Sequence, residues 1–155
     1  MPGEIWMRGP QVMLGYWNKP DETAQTIVQD GWLRSGDVGV MDEAGWFYVV
    51  DRQKDMIVAA GFKVWPREVE DVLIAHEHVR EAAVIGVPDA YRGETVWAYI
   101  SLRPGAAAFQ EAALLAYCRA VLASYKVPRR IIVLDELPKT LTGKIQRAVL
   151  RAQAT

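Results

Sequence analysis

An aspartate between glycines is the first group in this sequence that could bind a small molecule. Asp37 lies between Gly36 and Gly39 in the segment GWLRSGDVG, residues 31–39. The two oxygens of a carboxylate can accept both hydroxyl groups of a ribose, and neighbouring glycine lets a ligand approach closely. Aspartate is also common as a turn residue. The segment therefore indicates either a ribose-binding site or a capped turn.

A charged segment joins two apolar strand patterns near residue 52. Residues 51–57 read DRQKDMI, with apolar residues on both sides. Such a segment is typical of a solvated linker, but it is also a place where a hinge can absorb a backbone rotation. Both interpretations stay open from the residues alone.

Lys144 is placed where its charge is unfavourable. It follows Gly143 in the segment LPKTLTGKI, residues 137–145, near the start of a helix predicted over residues 145–151. A helix N-terminus disfavours a cation by roughly a few tenths of a kcal/mol. Lys144 could therefore serve an anion from elsewhere, or it could be an exposed loop lysine. The segment is not a Walker A phosphate loop, because that motif requires glycine at the position of Pro138.

The composition excludes several classes of partner. Eighteen Lys and Arg residues balance nineteen Asp and Glu residues, for a formal net charge of -1. No bulk attraction to nucleic acid or anionic lipid follows from this balance, so we expect no nucleic-acid partner.

Cysteine and histidine usage argues against a metal site. The single cysteine, Cys118, excludes a disulfide framework and the usual thiolate zinc site. His76 and His78 are spaced so that they do not share one helix face.

No apolar run approaches the roughly 20 residues that span a bilayer. We therefore expect a cytoplasmic protein without a metal site or a transmembrane segment.

Residues 1–51 carry short strand patterns separated by glycine turns. The strand patterns cover residues 4–7, 32–33, 38–41 and 46–50, and a short helix is predicted over residues 20–28. The sequence starts directly in a strand pattern, so we expect it to be cut from a longer protein. Residues 1–51 then form the truncated, β-rich end of a different domain.

Residues 52–155 alternate strands with longer helices, and we place the domain boundary near Asp51 and Arg52. The pattern predicts a hairpin over residues 56–65, a helix from Pro66, paired strands over 82–87 and 95–102, a helix whose apolar face runs from Leu114 to Tyr125, a strand over 131–134 and the terminal helix. The expected fold class is α+β, a small β-sheet covered by helices.

Taken together, these segments resemble the adenylate-forming superfamily of acyl-CoA synthetases, aryl-CoA ligases, luciferases and peptide-synthetase adenylation domains. Residues 3–23 are similar to the segment before the family's ribose motif, residues 31–39 to the ribose motif, residues 51–61 to the hinge motif and residues 138–144 to the catalytic-lysine motif. Each motif is weak alone, and their order along the whole sequence makes the resemblance specific.

The resemblance implies roles for individual residues. Asp37 would hold the ribose hydroxyls of ATP or AMP with help from Arg52, and Lys144 would bridge the acid carboxylate and the α-phosphate during adenylation. The hinge would lie at Asp51 and Lys54. A second set, Gly61 and Lys63, would line the channel for the pantetheine of coenzyme A.

The same resemblance implies an activity and its cofactors. Residues 8–17, 51–57 and 125–128 look most like bacterial medium- to long-chain fatty acyl-CoA synthetases. The implied cofactors are ATP, coenzyme A and Mg²⁺ carried on the ATP phosphates. Nothing in the sequence resembles the family's phosphate loop, adenine segment or acyl pocket. We therefore expect the missing N-terminal domain as a partner, and a fragment that is inactive alone.

Two other interpretations remain. The sequence could be a non-catalytic α+β interaction module, or it could come from the adenylation domain of a luciferase-like or peptide-synthetase enzyme. Exposed apolar surface on residues 1–51 would also favour self-association through Trp6, Trp17 or Trp32.

Overall fold

A computed structural model describes residues 2–106 and 109–154. These residues form two compact units, one ending at Lys54 and the other beginning at Asp55. The sequence prediction placed the boundary near Asp51 and Arg52, within the same charged segment. Each unit has its own sheet, so the charged segment separates two independently hydrogen-bonded structures.

The first unit is an antiparallel sheet with one short helix. Its strands are β1 (Gly3–Met7), β2 (Ile27–Val28), β3 (Trp32–Met41) and β4 (Phe47–Arg52), and helix α1 spans Pro20–Thr26. The long strand β3 pairs with each of the other three. It therefore fixes the position of every strand in this unit.

Two sequence predictions for the first unit were wrong in their bounds. Residues 32–33 and 38–41 belong to one strand, because β1 pairs with residues 33–34 and 38–39 on either side of an irregularity, and β4 pairs with residues 37–41. Helix α1 ends at Thr26, since Ile27 and Val28 pair with β3 instead. In both places the pairing of strands overrides the local preference of the sequence.

The second unit contains a five-stranded sheet and three helices in the described part of the chain. The elements are β5 (Ile57–Ala59), β6 (Phe62–Val64), α2 (Pro66–Ile74), β7 (Val79–Asp89), β8 (Gly93–Leu102), α3 (Glu111–Val121), β9 (Arg130–Val133) and α4 (Arg147–Gln153). The strand order is β6-β5-β8-β7, and β9 joins β8 in parallel while the other pairs are antiparallel. The predicted hairpin and the predicted antiparallel pair are both confirmed.

Helices cover both faces of the second sheet. Successive side chains of a strand point to opposite faces, and on β7 Val84 belongs to one apolar cluster while Ile85 belongs to another. The first cluster contains Leu73 of α2 and Leu114 of α3, whereas the second contains Leu150 of α4. The predicted class, a small α+β sheet covered by helices, is confirmed.

The bounds of the terminal helix differ from the prediction. Helix α4 begins at Arg147 rather than at residue 145, so Lys144 lies in a turn before the helix. The helix-dipole argument for Lys144 is therefore weaker than the sequence indicated, because that effect falls off within the first turn. No helix among residues 2–106 and 109–154 is long and apolar enough to cross a membrane.

Candidate functional site

Asp37 and Arg52 border a cleft in the first unit. The two residues are directly paired across β3 and β4, and Arg52 Nε lies 3.6 Å from Asp37 Oδ1. The cleft has a volume of about 740 Å³, and Lys54 also lines it. The structure thus brings three of the sequence-predicted site residues to one place.

The Asp37 carboxylate is available to a ligand. Its side chain is 38% exposed, and no hydrogen bond to its carboxylate oxygens is found within the described part of the chain. Its backbone N–H donates to Ser35 Oγ at 3.0 Å, so the local backbone is fixed while the carboxylate stays open. Gly36 has a φ of 71° and adjoins open space, a conformation that favours glycine. These features suit the approach of a polar ligand to Asp37.

Glu4 organises the floor of this cleft, a role that the sequence analysis missed. It accepts hydrogen bonds from Trp6 Nε1 at 2.9 Å, from Arg34 Nε at 3.1 Å and from the backbone N–H of Gly36 at 3.3 Å. Glu4 is far from Arg34 in the sequence, and only the β1–β3 pairing joins them. A glutamate in a short strand next to Gly3 gave no local signal of this contact.

The hydrogen bonds to Glu4 keep it ionised. Burial acts to raise the pKa of Glu4, but the donors Trp6 and Arg34 outweigh burial and lower that pKa below its ordinary value. The charged form of Glu4 therefore holds Gly36 in place next to Asp37.

The hinge candidates differ in their surroundings. Asp51 is buried, and its Oδ1 accepts the backbone N–H of Arg52 at 2.7 Å. Lys54 is exposed in a short 3-10 turn, Gln53–Asp55, that crosses from one unit to the next. A fixed Asp51 beside an exposed Lys54 is a suitable arrangement for a joint.

Gly61 and Lys63 lie on the β5–β6 hairpin of the second unit. Ala59 pairs with Phe62, which leaves Ala60 and Gly61 as the two residues of the turn. Both have positive φ, 52° and 83°, as a type I′ turn requires. A Cβ on Gly61 would meet no atom within 4 Å apart from those of its chain neighbours.

Lys144 lies at the end of an exposed turn in the second unit. The backbone N–H of Thr140 donates to the carbonyl of Lys144 at 2.8 Å, and the N–H of Lys144 donates to Thr140 Oγ1 at 3.1 Å. Gly143 has a φ of 81°, which the turn requires. The backbone of Lys144 is therefore fixed, while its side chain is exposed.

Within the described ranges, no three or more His, Cys, Asp or Glu side chains are grouped so that they could hold a metal ion. Trp6 is 46% exposed and Trp17 is 89% exposed, and self-association through this surface stays a prediction.

The family of the chain follows from its second unit. Residues 68–144 match the family model of the AMP-binding enzyme C-terminal domain. Residues 68–144 therefore belong to the AMP-binding enzyme C-terminal domain family, which confirms the resemblance found in the sequence.

The curated relatives are CoA ligases. The chain is 54% identical over 153 residues to a long-chain-fatty-acid-CoA ligase of Bacillus subtilis (strain 168), covering 99% of the chain and 27% of that relative. It is 46% identical over 151 residues to a methyl-dioxo-octahydro-indenyl propanoyl:CoA ligase of Rhodococcus jostii (strain RHA1), covering 97% of the chain and 29% of the relative. The chain thus spans about a quarter of the length of the curated relatives it matches.

Solved structures give the same picture of the fold. ATP-bound MatB from Rhodopseudomonas palustris matches with a TM-score of 0.93 and 38% identity, over 99% of the chain and 30% of that protein. The amide bond synthetase McbA from Marinactinospora thermotolerans matches with a TM-score of 0.90 and 41% identity, over 100% of the chain and 32% of that protein.

Proposed function

We propose that the chain is the C-terminal part of an AMP-forming acyl-CoA ligase. In this proposal residues 1–51 are the end of the larger adenylate-binding domain, and residues 52–155 are the C-terminal cap. The observation that carries the proposal is the open Asp37 carboxylate opposite Arg52, in a chain whose residues 68–144 match the AMP-binding enzyme C-terminal domain.

The reaction has two steps because a carboxylate resists direct attack by a thiol. In the first step the acid attacks the α-phosphorus of ATP, which forms acyl-AMP and releases pyrophosphate. In the second step the thiolate of coenzyme A attacks the acyl carbon, and AMP leaves. The first step thus attaches AMP to the acid, and AMP is the leaving group of the second step.

Asp37, Arg52 and Lys144 act in the first step. The Asp37 carboxylate accepts hydrogen bonds from the ribose hydroxyls, and Arg52 holds that carboxylate in place. Lys144 stabilises the charge at the α-phosphate and draws the acid carboxylate next to it, which combines positional and electrostatic catalysis. Mg²⁺ would be carried by the ATP phosphates, and its protein ligands would lie mostly outside this chain.

The hinge acts between the two steps, and the β5–β6 hairpin acts in the second step. Lys144 would obstruct the thiol in the adenylation arrangement, so the cap must rotate about the joint at Asp51 and Lys54. Rotation presents the β5–β6 hairpin, where Gly61 leaves room for pantetheine and Lys63 lies next to it. Closure of the cap in each step keeps water away from the acyl-adenylate.

The chain alone does not form acyl-AMP at a useful rate in this proposal. It spans about a quarter of the relatives, and its sequence contains no phosphate loop, adenine segment or acyl pocket of the family kind. The upstream domain is therefore its obligatory partner.

The proposed acid is a medium- or long-chain fatty acid. Several relatives, including those of Bacillus subtilis and Yersinia pestis, carry the name long-chain-fatty-acid-CoA ligase. The Rhodococcus relative carries the name of a fused-ring acid. A panel of both acid types, given to the chain rejoined to its own upstream region, distinguishes the two classes.

A hybrid enzyme tests the residue roles. In it, this chain replaces the matching part of the Bacillus subtilis ligase, to which it is 54% identical. Pyrophosphate release with a fatty acid measures the first step, and acyl-CoA formation from supplied acyl-AMP measures the second. We expect Lys144→Ala to abolish the first step and to retain the second, whereas Lys54→Pro retains the first and loses the second.

A matched control separates the lysine from its turn. Leu141 is fully exposed in the same turn, so Leu141→Ala is expected to leave both steps unchanged. If Lys144→Ala forms acyl-AMP at the rate of the parent hybrid, the assignment fails and a non-catalytic interaction module becomes the better interpretation. If the hybrid makes an amide from an added amine but no thioester, the acceptor resembles that of an amide bond synthetase.

A further inference from the structure

Four charged side chains of the second unit form one ionic cluster. Arg147 donates from Nη2 to both oxygens of Glu70, each at 2.7 Å, and its Nη1 lies 3.6 Å from Asp55 Oδ2. Arg151 Nη2 donates to Asp55 Oδ1 at 2.7 Å. The carboxylates are nearly inaccessible, with side-chain exposures of 7% for Asp55 and 10% for Glu70.

Arg147 joins segments that are far apart in the sequence. It is the first residue of α4, whereas Glu70 lies in α2 and also accepts the backbone N–H of Val84 in β7 at 2.8 Å. Asp55 follows Lys54 directly and ends the 3-10 turn. One guanidinium thus contacts both α2 and the segment that follows the joint.

The turn that carries Lys144 is held at its base rather than by its own side chains, through the Lys139–Glu81 ion pair and the packing of Ile145 on the apolar cluster of Leu150. Residues 140–144 are all exposed, so none of their side chains anchors the turn in the apolar core. The turn is closed at its base by the bridge between Lys139 and Ile145, and the N–H of Gln146 donates to the carbonyl of Pro138 at 2.8 Å. Arg147 is the next residue, so its ion pairs fix the end of the turn to the rest of the unit.

We propose that Arg147 is a positioning residue that couples the Lys144 turn to the segment after Lys54. Through Asp55 and Glu70 it makes the turn, α2 and the end of the joint move as one body. The functional meaning of this coupling rests on the proposed roles of Lys144 and Lys54, but the coupling itself does not. Glu70 and Asp55 are nearly inaccessible, so losing the Arg147 guanidinium weakens this ionic cluster and loosens the end of the turn that Arg147 holds.

Amide hydrogen exchange on this chain tests the coupling without any assay of activity. We expect Arg147→Gln to speed exchange of the amides in residues 139–146 by roughly tenfold or more, while amides of β7 and β8 stay near their original rates. Arg147→Lys keeps the charge but loses the two-pronged contact, so it should restore part of the protection. Equal acceleration in all elements would overturn the proposal, because it would show a general structural role.

A second variant guards against unfolding. Arg147→Gln leaves the buried Glu70 without this guanidinium, and the combined change Arg147→Gln with Glu70→Gln also removes the carboxylate charge that Arg147 faced. The Gln side chain can still accept the Val84 N–H, so the double variant should fold and still show fast exchange in residues 139–146. Unchanged exchange there would overturn the proposal.

A matched ion pair in the same unit provides the control. Lys126 pairs with Glu68, which lies on the same helix as Glu70, and no hydrogen bond or ion pair from this pair to residues 139–146 is found in the part of the chain that the structure describes. Lys126→Gln should therefore leave exchange in residues 139–146 unchanged. Acceleration by this variant equal to that of Arg147→Gln would overturn the specific coupling.

The hybrid ligase then separates the coupling from the proposed function. Arg147→Gln should lower kcat for pyrophosphate release by roughly tenfold with a smaller change in the KM for ATP, because Lys144 is misplaced while Asp37 is not. Faster exchange in the turn with unchanged adenylation supports the coupling and refutes the role of Lys144. Unchanged exchange refutes the coupling, whatever the kinetics.

Discussion

Asp37 and Arg52 face each other across β3 and β4, with Arg52 Nε 3.6 Å from Asp37 Oδ1. This spacing is an ionic contact rather than a hydrogen bond. Arg52 therefore holds the carboxylate by charge and leaves its oxygens free to accept hydroxyl donors. The backbone around Asp37 is meanwhile fixed by Ser35 and Glu4, the latter through Gly36.

The first prediction concerns Asp37 in the hybrid ligase. Asp37→Asn keeps the size of the side chain but replaces one acceptor oxygen with a donor and removes the charge. Hydrogen bonds to a charged group contribute about 1.5–3 kcal/mol each, so the KM for ATP should rise roughly 10- to 100-fold. Arg52→Gln should have a smaller effect, because Arg52 acts through Asp37. Initial rates of pyrophosphate release at varied ATP concentration measure both.

An aspartate outside the cleft provides the control for this prediction. Asp30 is exposed in the same unit, at a φ of 60° that asparagine tolerates, and it does not line the cleft. Asp30→Asn should leave the KM for ATP unchanged. A KM for Asp37→Asn equal to that of Asp30→Asn would refute the ribose-binding role.

The second prediction concerns a close contact at the centre of the first sheet. A Cβ on Gly39 would lie 2.7 Å from Ile5 Cδ1 and 2.8 Å from the carbonyl oxygen of Tyr48. The backbone oxygen cannot move without disturbing the β3–β4 pair. Gly39→Ala should therefore lower the free energy of unfolding of the first unit by about 1–3 kcal/mol. Urea unfolding followed by tryptophan fluorescence measures the change.

Gly3 provides the matched control, because it is paired directly with Gly39 across β1 and β3. A Cβ on Gly3 would have no atom within 4 Å. Gly3→Ala should therefore leave the unfolding midpoint close to that of the parent chain. Equal midpoints for the two variants would mean that the sheet lacks the described β1–β3 register.

The third prediction concerns the pH dependence of an ion pair at the base of the Lys144 turn. Lys139 Nζ lies 2.6 Å from Glu81 Oε1. The hydrogen bond from Lys139 holds the pKa of Glu81 below its ordinary value of about 4.5, and the same bond raises the pKa of Lys139 above its ordinary value of about 10.5. The pair should therefore stabilise the folded chain at every pH between the ordinary pKa of a glutamate and that of a lysine.

The signs of the two shifts define where this stabilisation is lost. For Glu81 the contribution is complete above the unfolded pKa and disappears as the pH falls through the lower folded pKa. For Lys139 it is complete below the unfolded pKa and disappears as the pH rises through the higher folded pKa. The Tm difference between the parent chain and Glu81→Gln should shrink at both extremes. Glu43→Gln, which removes an exposed carboxylate in the first unit, is the matched control.

Local sequence signals were enough for much of the second unit. Residues that are neighbours in the sequence determine three of its features. These are the turn at Ala60 and Gly61, the proline that opens α2, and the paired strands around residues 82–102. In β3 the local signal failed, because Gly36 and Gly39 favour a turn while pairing with β1 and β4 imposes a strand.

The contacts that position the candidate site could not be predicted in this way. Glu4 and Arg34 are 30 positions apart, and Arg147 and Glu70 are 77 positions apart. Each pair consists of charged residues whose types are common on any protein surface. Only the register of the β1–β3 pair and the packing of α4 bring them together. Sequence patterns gave candidate residues, and tertiary contacts determine what holds those residues in place.

The fourth prediction concerns Cys118 as a reporter of the second unit. The thiol is fully buried on α3 within the apolar cluster that includes Leu114, and burial raises its pKa above the ordinary value, although Arg119 acts in the opposite direction. A thiol that is inaccessible and protonated reacts slowly with disulfide reagents. Ellman's reagent should therefore label the native chain at least roughly 10³-fold more slowly than the chain in concentrated guanidinium.

An added exposed thiol makes this measurement decisive. Ser124 lies on the surface just after α3, so Ser124→Cys in a Cys118→Ala background should label rapidly in the native state. If Cys118 labels as fast as the thiol of this variant, α3 does not pack on the sheet as described. If Cys118 labels slowly, its rate measures how often the second unit opens. Leu114→Ala, which removes a fully buried neighbour in the same cluster, should then raise the logarithm of that rate in proportion to the free energy of unfolding it removes.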